Sequence, residues 1–310
     1  MFLVIHNYTV FCIILFVFVQ IENTKEVCGK YLIYGDVMKN EWTREIFKTN
    51  KPIIAMCHLQ ALPGDPGFDK QGGMKKVIEL ARQDLHALQD GGVDGIMFSN
   101  EFSLPYLLKV RPETSAAMAR AIGELIPEIS VPYGVNVLWD PYASLDVAAA
   151  VDGLFVREVF SGLYASDYGL WNPNCGDIIR HQYALGVEHV KLMFNIVPEA
   201  AQYITTRDIC DIARSTVFNH RPDALLVSGL TAGVQADSTV LKKVKDTVPN
   251  TLVFANTGVR LENVEEQLGI ADGAIVATTF KIDGVFENLV DQKRVKAFMD
   301  KVKSFRKNFD

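Results

Sequence analysis

From Lys51 onward the chain repeats one pattern: a short run of β-branched or aliphatic residues, then a longer segment with apolar side chains at helical spacing. Parallel strands need a crossover connection, usually a helix, so this alternation is the signature of a parallel sheet covered by helices. Eight strands are predicted: Ile53 to His58, Gly95 to Phe98, Tyr133 to Leu138, Leu154 to Arg157, His189 to Met193, Ala224 to Val227, Leu252 to Ala255 and Ala274 to Ala277. Helices are expected over Met74 to Asp90, Glu113 to Ile126, Asp208 to Phe218 and Ser238 to Val248. A last helix begins at Asp291, an N-cap residue, and lines up Val295, Phe298, Met299, Val302 and Phe305 as its docking face. The same polar turn announces several strands, Gly92-Val-Asp-Gly95, Pro222-Asp-Ala224 and Ala271-Asp-Gly273. Eight βα units in about 250 residues predict an α/β fold of the closed (β/α)8 TIM-barrel type, with an open doubly wound sheet as the runner-up. No long Gly/Ser linker interrupts residues 51 to 306, so residues 38–310 are read as a single domain.

Residues 1–37 stand apart as an apolar leader and linker. The first 21 residues contain no Lys, Arg, Asp or Glu, and Val10 to Val19 is an unbroken apolar run. A signal peptide or membrane anchor is one reading. Against it, no basic region precedes the run, no small-residue cleavage site follows Gln20, and a soluble-looking first helix starts at Met38. A start at Met38 and a cytoplasmic protein is the competing expectation. The five cysteines, Cys12, Cys28, Cys57, Cys175 and Cys210, lack zinc-site spacing and read as reduced thiols. With 31 basic against 37 acidic residues the formal charge is -6, which argues against a nucleic-acid-binding surface and for small-molecule chemistry.

In such barrels the outer face of each strand packs against helices and must be apolar, whereas inward residues near the C-terminal mouth can be polar. Alternation then assigns directions. In the fifth strand Val190, Leu192 and Phe194 share one face, which directs Lys191 into the barrel mouth as the expected central cation. The same argument turns Asn136 and Arg157 inward, and a slip of one residue would substitute Glu158 for Arg157. His58 and Ser228 close their strands. Two cations facing one mouth need anions, either Glu101, Asp140 and Asp167 from neighbouring loops or a bound ligand. The catalytic candidates are therefore Lys191, Glu101, His58, Arg157 and Asn136.

The seventh and eighth strands run into Asn256-Thr257-Gly258 and Thr278-Thr279, where phosphate-holding barrels place backbone N–H groups, small hydroxyls and a short helix. With Ser228 and Gly229 after the sixth strand, these are the expected phosphate-binding residues. Ala61 to Phe68 and Phe160 to Asn174 are long connections that read as covers, the second carrying Tyr164, Tyr168 and Trp171. Those aromatics equally suit a subunit interface, and a homo-oligomer is the expected assembly. A nucleophile elbow, a P-loop and a dinucleotide fingerprint are missing from the sequence. It assigns no cofactor and leaves a metal open.

Four stretches carry a family likeness: Ile54-Ala-Met-Cys-His-Leu-Gln-Ala-Leu-Pro-Gly-Asp-Pro66, Gly92 to Tyr106, Pro132-Tyr-Gly-Val-Asn-Val-Leu-Trp139, and Val227-Ser-Gly-Leu-Thr-Ala-Gly233. In this order, from about Met38 to Arg306, the chain resembles the BtpA family and its SgcQ-like branch. The resemblance implies a ribulose-phosphate-binding type of TIM barrel. It leaves the activity open, since some relatives are linked to photosystem I assembly and the SgcQ branch to bacterial sugar metabolism. Phe98-Ser-Asn-Glu-Phe102 departs from the family's more usual Glu-Asn pair, with an acid kept as Glu101. Three functions remain in view: a sugar-phosphate isomerase or epimerase, a non-catalytic assembly or regulatory factor, and a metal-dependent enzyme with His58 and Glu101 as ligands.

Overall fold

A computed structural model describes residues 41–229 and 236–308. A helix over residues 41–47 (α1) leads into the βα units. These run β1 (Ile53–His58), α2 (Gly73–Gly91), β2 (Gly95–Ser99), α3 (Pro112–Leu125), β3 (Tyr133–Asn136), α4 (Pro141–Ala150) and β4 (Phe155–Glu158). A hairpin follows, β5 (Tyr164–Ser166) and β6 (Gly169–Trp171), then α5 (Cys175–Ala184), β7 (Lys191–Val197), β8 (Ala201–Tyr203) and α6 (Ile209–His220). The chain continues through β9 (Ala224–Val227), α7 (Ser238–Thr247), β10 (Leu252–Ala255), α8 (Val264–Ile270), β11 (Gly273–Val276) and α9 (Gln292–Arg306). Strands β1, β2, β3, β4, β7, β9, β10 and β11 pair in that order, all parallel, and β11 returns to β1. The barrel is closed, so the open doubly wound sheet is set aside.

Alternation sorts each strand between two environments. On β1, Ile53, Ala55 and Cys57 point out and pack with Val77, Ile78 and Ala81 of α2. Ile54, Met56 and His58 point in. The interior is filled in layers, as a packed barrel must be. Phe155 fills its lower part because Gly134 leaves room: a Cβ there would meet the Phe155 ring at 2.2 Å. Gly273 does the same for Phe254, at 2.3 Å. Above the apolar layers, the inward residue at or just past each strand end is small or polar: His58, Ser99, Asn136, Arg157, Asn195, Ser228, Asn256 and Ala277. This layer is the floor of the mouth.

The repeated Asp before a strand has a structural task at the opposite end. Asp94 accepts a hydrogen bond from Ile53 N (2.7 Å), Asp223 from Leu192 N (2.9 Å) and Asp272 from Val253 N (2.8 Å), each capping the start of another strand. Each carboxylate also meets a cation: Arg306 for Asp94, Lys191 at 3.5 Å for Asp223, and Lys245 at 2.6 Å for Asp272.

This corrects the place given to Lys191. Its strand runs Lys191–Val197 rather than His189–Met193, so Lys191 opens the strand at the N-terminal end of the barrel. The inward parity holds, but the residue of β7 that reaches the mouth is Asn195.

Helix α9 begins as expected, with the Asp291 carboxylate accepting from Lys293 N, and buries Val295, Phe298, Met299 and Val302. Each such side chain contributes about 1.5–3 kcal/mol by leaving water. A feature the sequence did not announce is a small antiparallel sheet, β6-β5-β8, made from the connections after β4 and β7. It backs a cluster of Leu138, Trp139, Val159, Tyr164 and Trp171, so the aromatics of the expected cover pack against one another. Cys57, Cys175 and Cys210 are free thiols. The leader, the Met38 start and residues 230–233 of the loop after β9 lie outside the described residues. Among the described residues no helix is long and apolar enough to cross a membrane.

Candidate functional site

The polar floor is tied together by one hydrogen-bonded chain. Arg157 donates through Nε and Nη2 to Asn136 Oδ1 (3.0 and 2.6 Å) and through Nη1 to Asn256 Oδ1 (3.1 Å). Asn256 donates to Ser228 Oγ (2.7 Å), which also accepts from Asn195 (3.2 Å). The Asn136 amide group is spent on Arg157 O (2.7 Å) and Glu158 Oε1 (2.6 Å), so Asn136 orients Arg157 and has no capacity left to donate to a ligand. Arg157 faces inward as alternation required, and Glu158 is buried on the other side of the strand beside Ser144 (3.2 Å).

Above this floor opens a cavity of about 640 Å³. It is lined by His58, Glu101, Arg157 and Glu199 from the ends of β1, β2, β4 and β7, and by Asn256 to Glu262 with Thr278 and Thr279 from the ends of β10 and β11. Of the sequence-derived catalytic set, His58, Glu101 and Arg157 come together here. Asn136 supports from below, and Lys191 is absent from the lining.

Arg157 is 6% exposed, and among the described residues no carboxylate lies within ion-pair distance of it. Of the anions expected to pair with it, Asp140 instead caps α4, accepting from Tyr142 N and Ala143 N and also from Val110 N. Asp167 sits at the β5–β6 turn. Glu101 accepts from Ser99 Oγ (3.1 Å). Burial pushes its pKa up, while Arg157 and the hydroxyls of Ser99 and Tyr106 draw it back.

Glu199, which follows β7 and was not singled out from the sequence, is pushed up to about 7 by burial, with Arg157 opposing and Glu101 reinforcing the shift. An acid poised near neutrality can both release and take up a proton at physiological pH. His58 is the reverse case. Burial, then the charges of Lys281 and Arg157, hold its imidazole well below the usual value, so the ring is neutral. Its Nε2 stands 3.8 Å from Glu101 Oε2, too far for a hydrogen bond, and its Nδ1 has no partner among the described residues. Phe102 and Phe286 pack around the ring, with centroids 6.2 and 5.4 Å away. Among the described residues no group of three His, Cys, Asp or Glu is placed to hold a metal.

On the β10 and β11 side Gly258 has φ 64°, the left-handed region glycine tolerates, and the backbone turns there over the cavity. Thr278 and Thr279 open a 3-10 turn, Thr278–Phe280. Arg260, Lys293 and Arg294 add positive charge to the same lining, the last two from α9, where the sequence showed only an amphipathic pattern. Ser228 and Gly229 sit one layer back, Ser228 in the floor network and Gly229 N donating to Thr257 Oγ1 (2.5 Å). A buried ion pair anchors this side: Lys281 Nζ meets Asp84 Oδ2 at 2.7 Å, and Asp84 Oδ1 accepts from Val290 N at 2.7 Å.

The profile of the BtpA family matches residues 49–304. The putative sgc region protein SgcQ of Escherichia coli is 65% identical over 86% of this chain and 99% of its own. The photosystem I biogenesis protein BtpA of Synechocystis is 29% identical over 83% of this chain and 89% of its own. Among solved structures, phosphoribosyl anthranilate isomerase of Thermus thermophilus has a TM-score of 0.50 at 11% identity, covering 82% of this chain and 98% of that one. Likeness at that identity speaks to the fold alone.

Proposed function

The chain belongs to the BtpA family, and we propose that its cavity binds a phosphorylated small molecule and moves a proton on its carbon skeleton, as a sugar-phosphate isomerase or epimerase does. One observation carries the reading. A single cavity brings two partly buried carboxylates, Glu101 and Glu199, together with an inward guanidinium, and is lined besides by small hydroxyls, a positive-φ glycine, three cations and one further acid, Glu262.

The division of labour follows from charge. Thr257, Gly258, Thr278 and Thr279, with Arg260, Lys293 and Arg294 around them, suit a phosphate dianion that keeps part of its water. Glu199, half-protonated near neutrality, takes a proton from carbon and Glu101 is its counterpart on the other flank. Arg157 receives the negative charge that develops on oxygen as the proton leaves. Neutral His58 offers Nε2 to a ligand hydroxyl, as donor or acceptor according to its tautomer.

A thermal-shift screen of phosphorylated sugars, with and without divalent metal, tests this. A ligand at about a hundred times its Kd stabilises the folded state by about 2.7 kcal/mol. In a chain of this size that raises Tm by roughly 4–5 °C. A flat screen would contradict the proposal and favour an assembly factor like the Synechocystis relative.

A further inference from the structure

We infer that the ligand of this cavity carries a carboxylate as well as a phosphate, the chemical class of a phosphorylated sugar acid, and that Arg157 receives the carboxylate. This rests on the phosphorylated-ligand reading above and narrows it.

Arg157 has donors to spare and, among the described residues, no anion in contact. Three of its five guanidinium N–H groups go to Asn136 and Asn256, which leaves one on each terminal nitrogen. Its acceptors are amide oxygens without formal charge. Glu101, Glu158 and Glu199 act on it through space, and a buried guanidinium without an anion in contact bears a desolvation cost that a contacting counterion offsets. The flanking acids do not supply it at contact, since no ion pair joins Arg157 to Glu101 or Glu199 among the described residues. The vacant donors, one per terminal nitrogen, match the two oxygens of a carboxylate.

The phosphate belongs on the β10 and β11 side. In the closed ring β4 and β11 are four strands apart, so the backbone of Arg157 and the Thr278-Thr279 turn lie on opposite sides of the barrel, with the guanidinium reaching across the floor to Asn256. Phosphate at Arg157 would set a dianion between two acidic side chains, whereas a carboxylate brings a single charge. The cavity has room for a chain of sugar length between the two. A carboxylate at Arg157 also places its neighbouring carbon between Glu101 and Glu199. One acid takes the proton from that carbon, the electron pair moves onto the carboxylate oxygens against Arg157, and a proton returns to the carbon. Return on the opposite face inverts the centre and leaves the atom count unchanged.

Titration calorimetry of the full chain with phosphogluconate, fructose phosphate and gluconate tests the inference. Phosphogluconate is expected to bind at least about tenfold more tightly than either of the others. Asn256→Asp would give Arg157 an internal counterion of the same shape, and Arg157→Lys would keep the charge but lose the paired donors. Either variant, folded by circular dichroism, should reduce that preference to roughly threefold or less. Equal affinity for phosphogluconate and fructose phosphate in the unaltered protein overturns the inference and leaves the phosphorylated-ligand reading standing. Binding of neither phosphate compound overturns both. A preference undiminished in both variants removes Arg157 from the carboxylate site.

Discussion

Asp84→Asn should be among the most destabilising single substitutions in this chain. Lys281 is 1% exposed and Asp84 2%, and their side chains meet at 2.7 Å. Removing the carboxylate charge strands an ammonium inside the protein, and breaking such a pair costs about 3–5 kcal/mol. The Val290 N–H, now held by Asp84 Oδ1, also faces a weaker acceptor. In urea, with a slope of about 2–3 kcal/mol per molar, the midpoint should fall by about 1–2.5 M. Replacing both partners, Asp84→Leu with Lys281→Met, should recover much of the loss because neither charge remains buried. A change below about 1 kcal/mol for Asp84→Asn would refute the reasoning. Because the pair pins the segment carrying Thr278 and Thr279, ligand affinity in the folded variant should fall as well.

Other outcomes follow from the same geometry. Gly258→Asp should weaken phosphate-ligand binding by at least about tenfold while the barrel stays folded, since aspartate tolerates a positive φ better than most residues but repels the ligand; calorimetry reads it. Lys191→Met should leave turnover unchanged and cost about 0–1 kcal/mol, because its pair with Asp223 is partly exposed at the far end of the barrel. Glu199 should impose a rise in kcat/KM through about pH 7 as its carboxyl ionises to become the base, and Glu199→Gln should abolish that limb together with most turnover. Its raised pKa also makes a stability contribution that is full below its ordinary value near 4.5 and lost as pH climbs through about 7, and melting of Glu199→Gln across that window should show no such fall.

The barrel strands could be read from the chain because they are buried on both faces and bounded by polar turns. Ile53–His58, Ala224–Val227 and Leu252–Ala255 match the expected bounds residue for residue. The fifth strand slipped because the stretch from His189 to Val197 alternates smoothly, and periodicity reports which way a side chain points but not how far along the barrel it lies. That error moved Lys191 from the bottom to the mouth. Arg157 escaped it because its strand is short and ends one residue later.

The antiparallel sheet was invisible for another reason. Its strands have three residues each, and one buried residue apiece in β5 and β6, Tyr164 and Trp171, is too few to show an alternation. Glu199 lay in a connection where no periodicity applies. Its one available signal was an acid two residues beyond Val197, the end of an apolar run. Lys293 and Arg294 reach the cavity from the first turn of α9, a placement set by how that helix docks.

The most direct test of the account is a crystal structure of the protein soaked with phosphogluconate. The account predicts the phosphate at the turns of Gly258 and Thr278 and the carboxylate on the terminal nitrogens of Arg157, with Glu101 and Glu199 on either side of the adjoining carbon. Ligand density at the other end of the barrel, near Lys191 and Asp223, or a mouth left empty at saturating ligand, would contradict it.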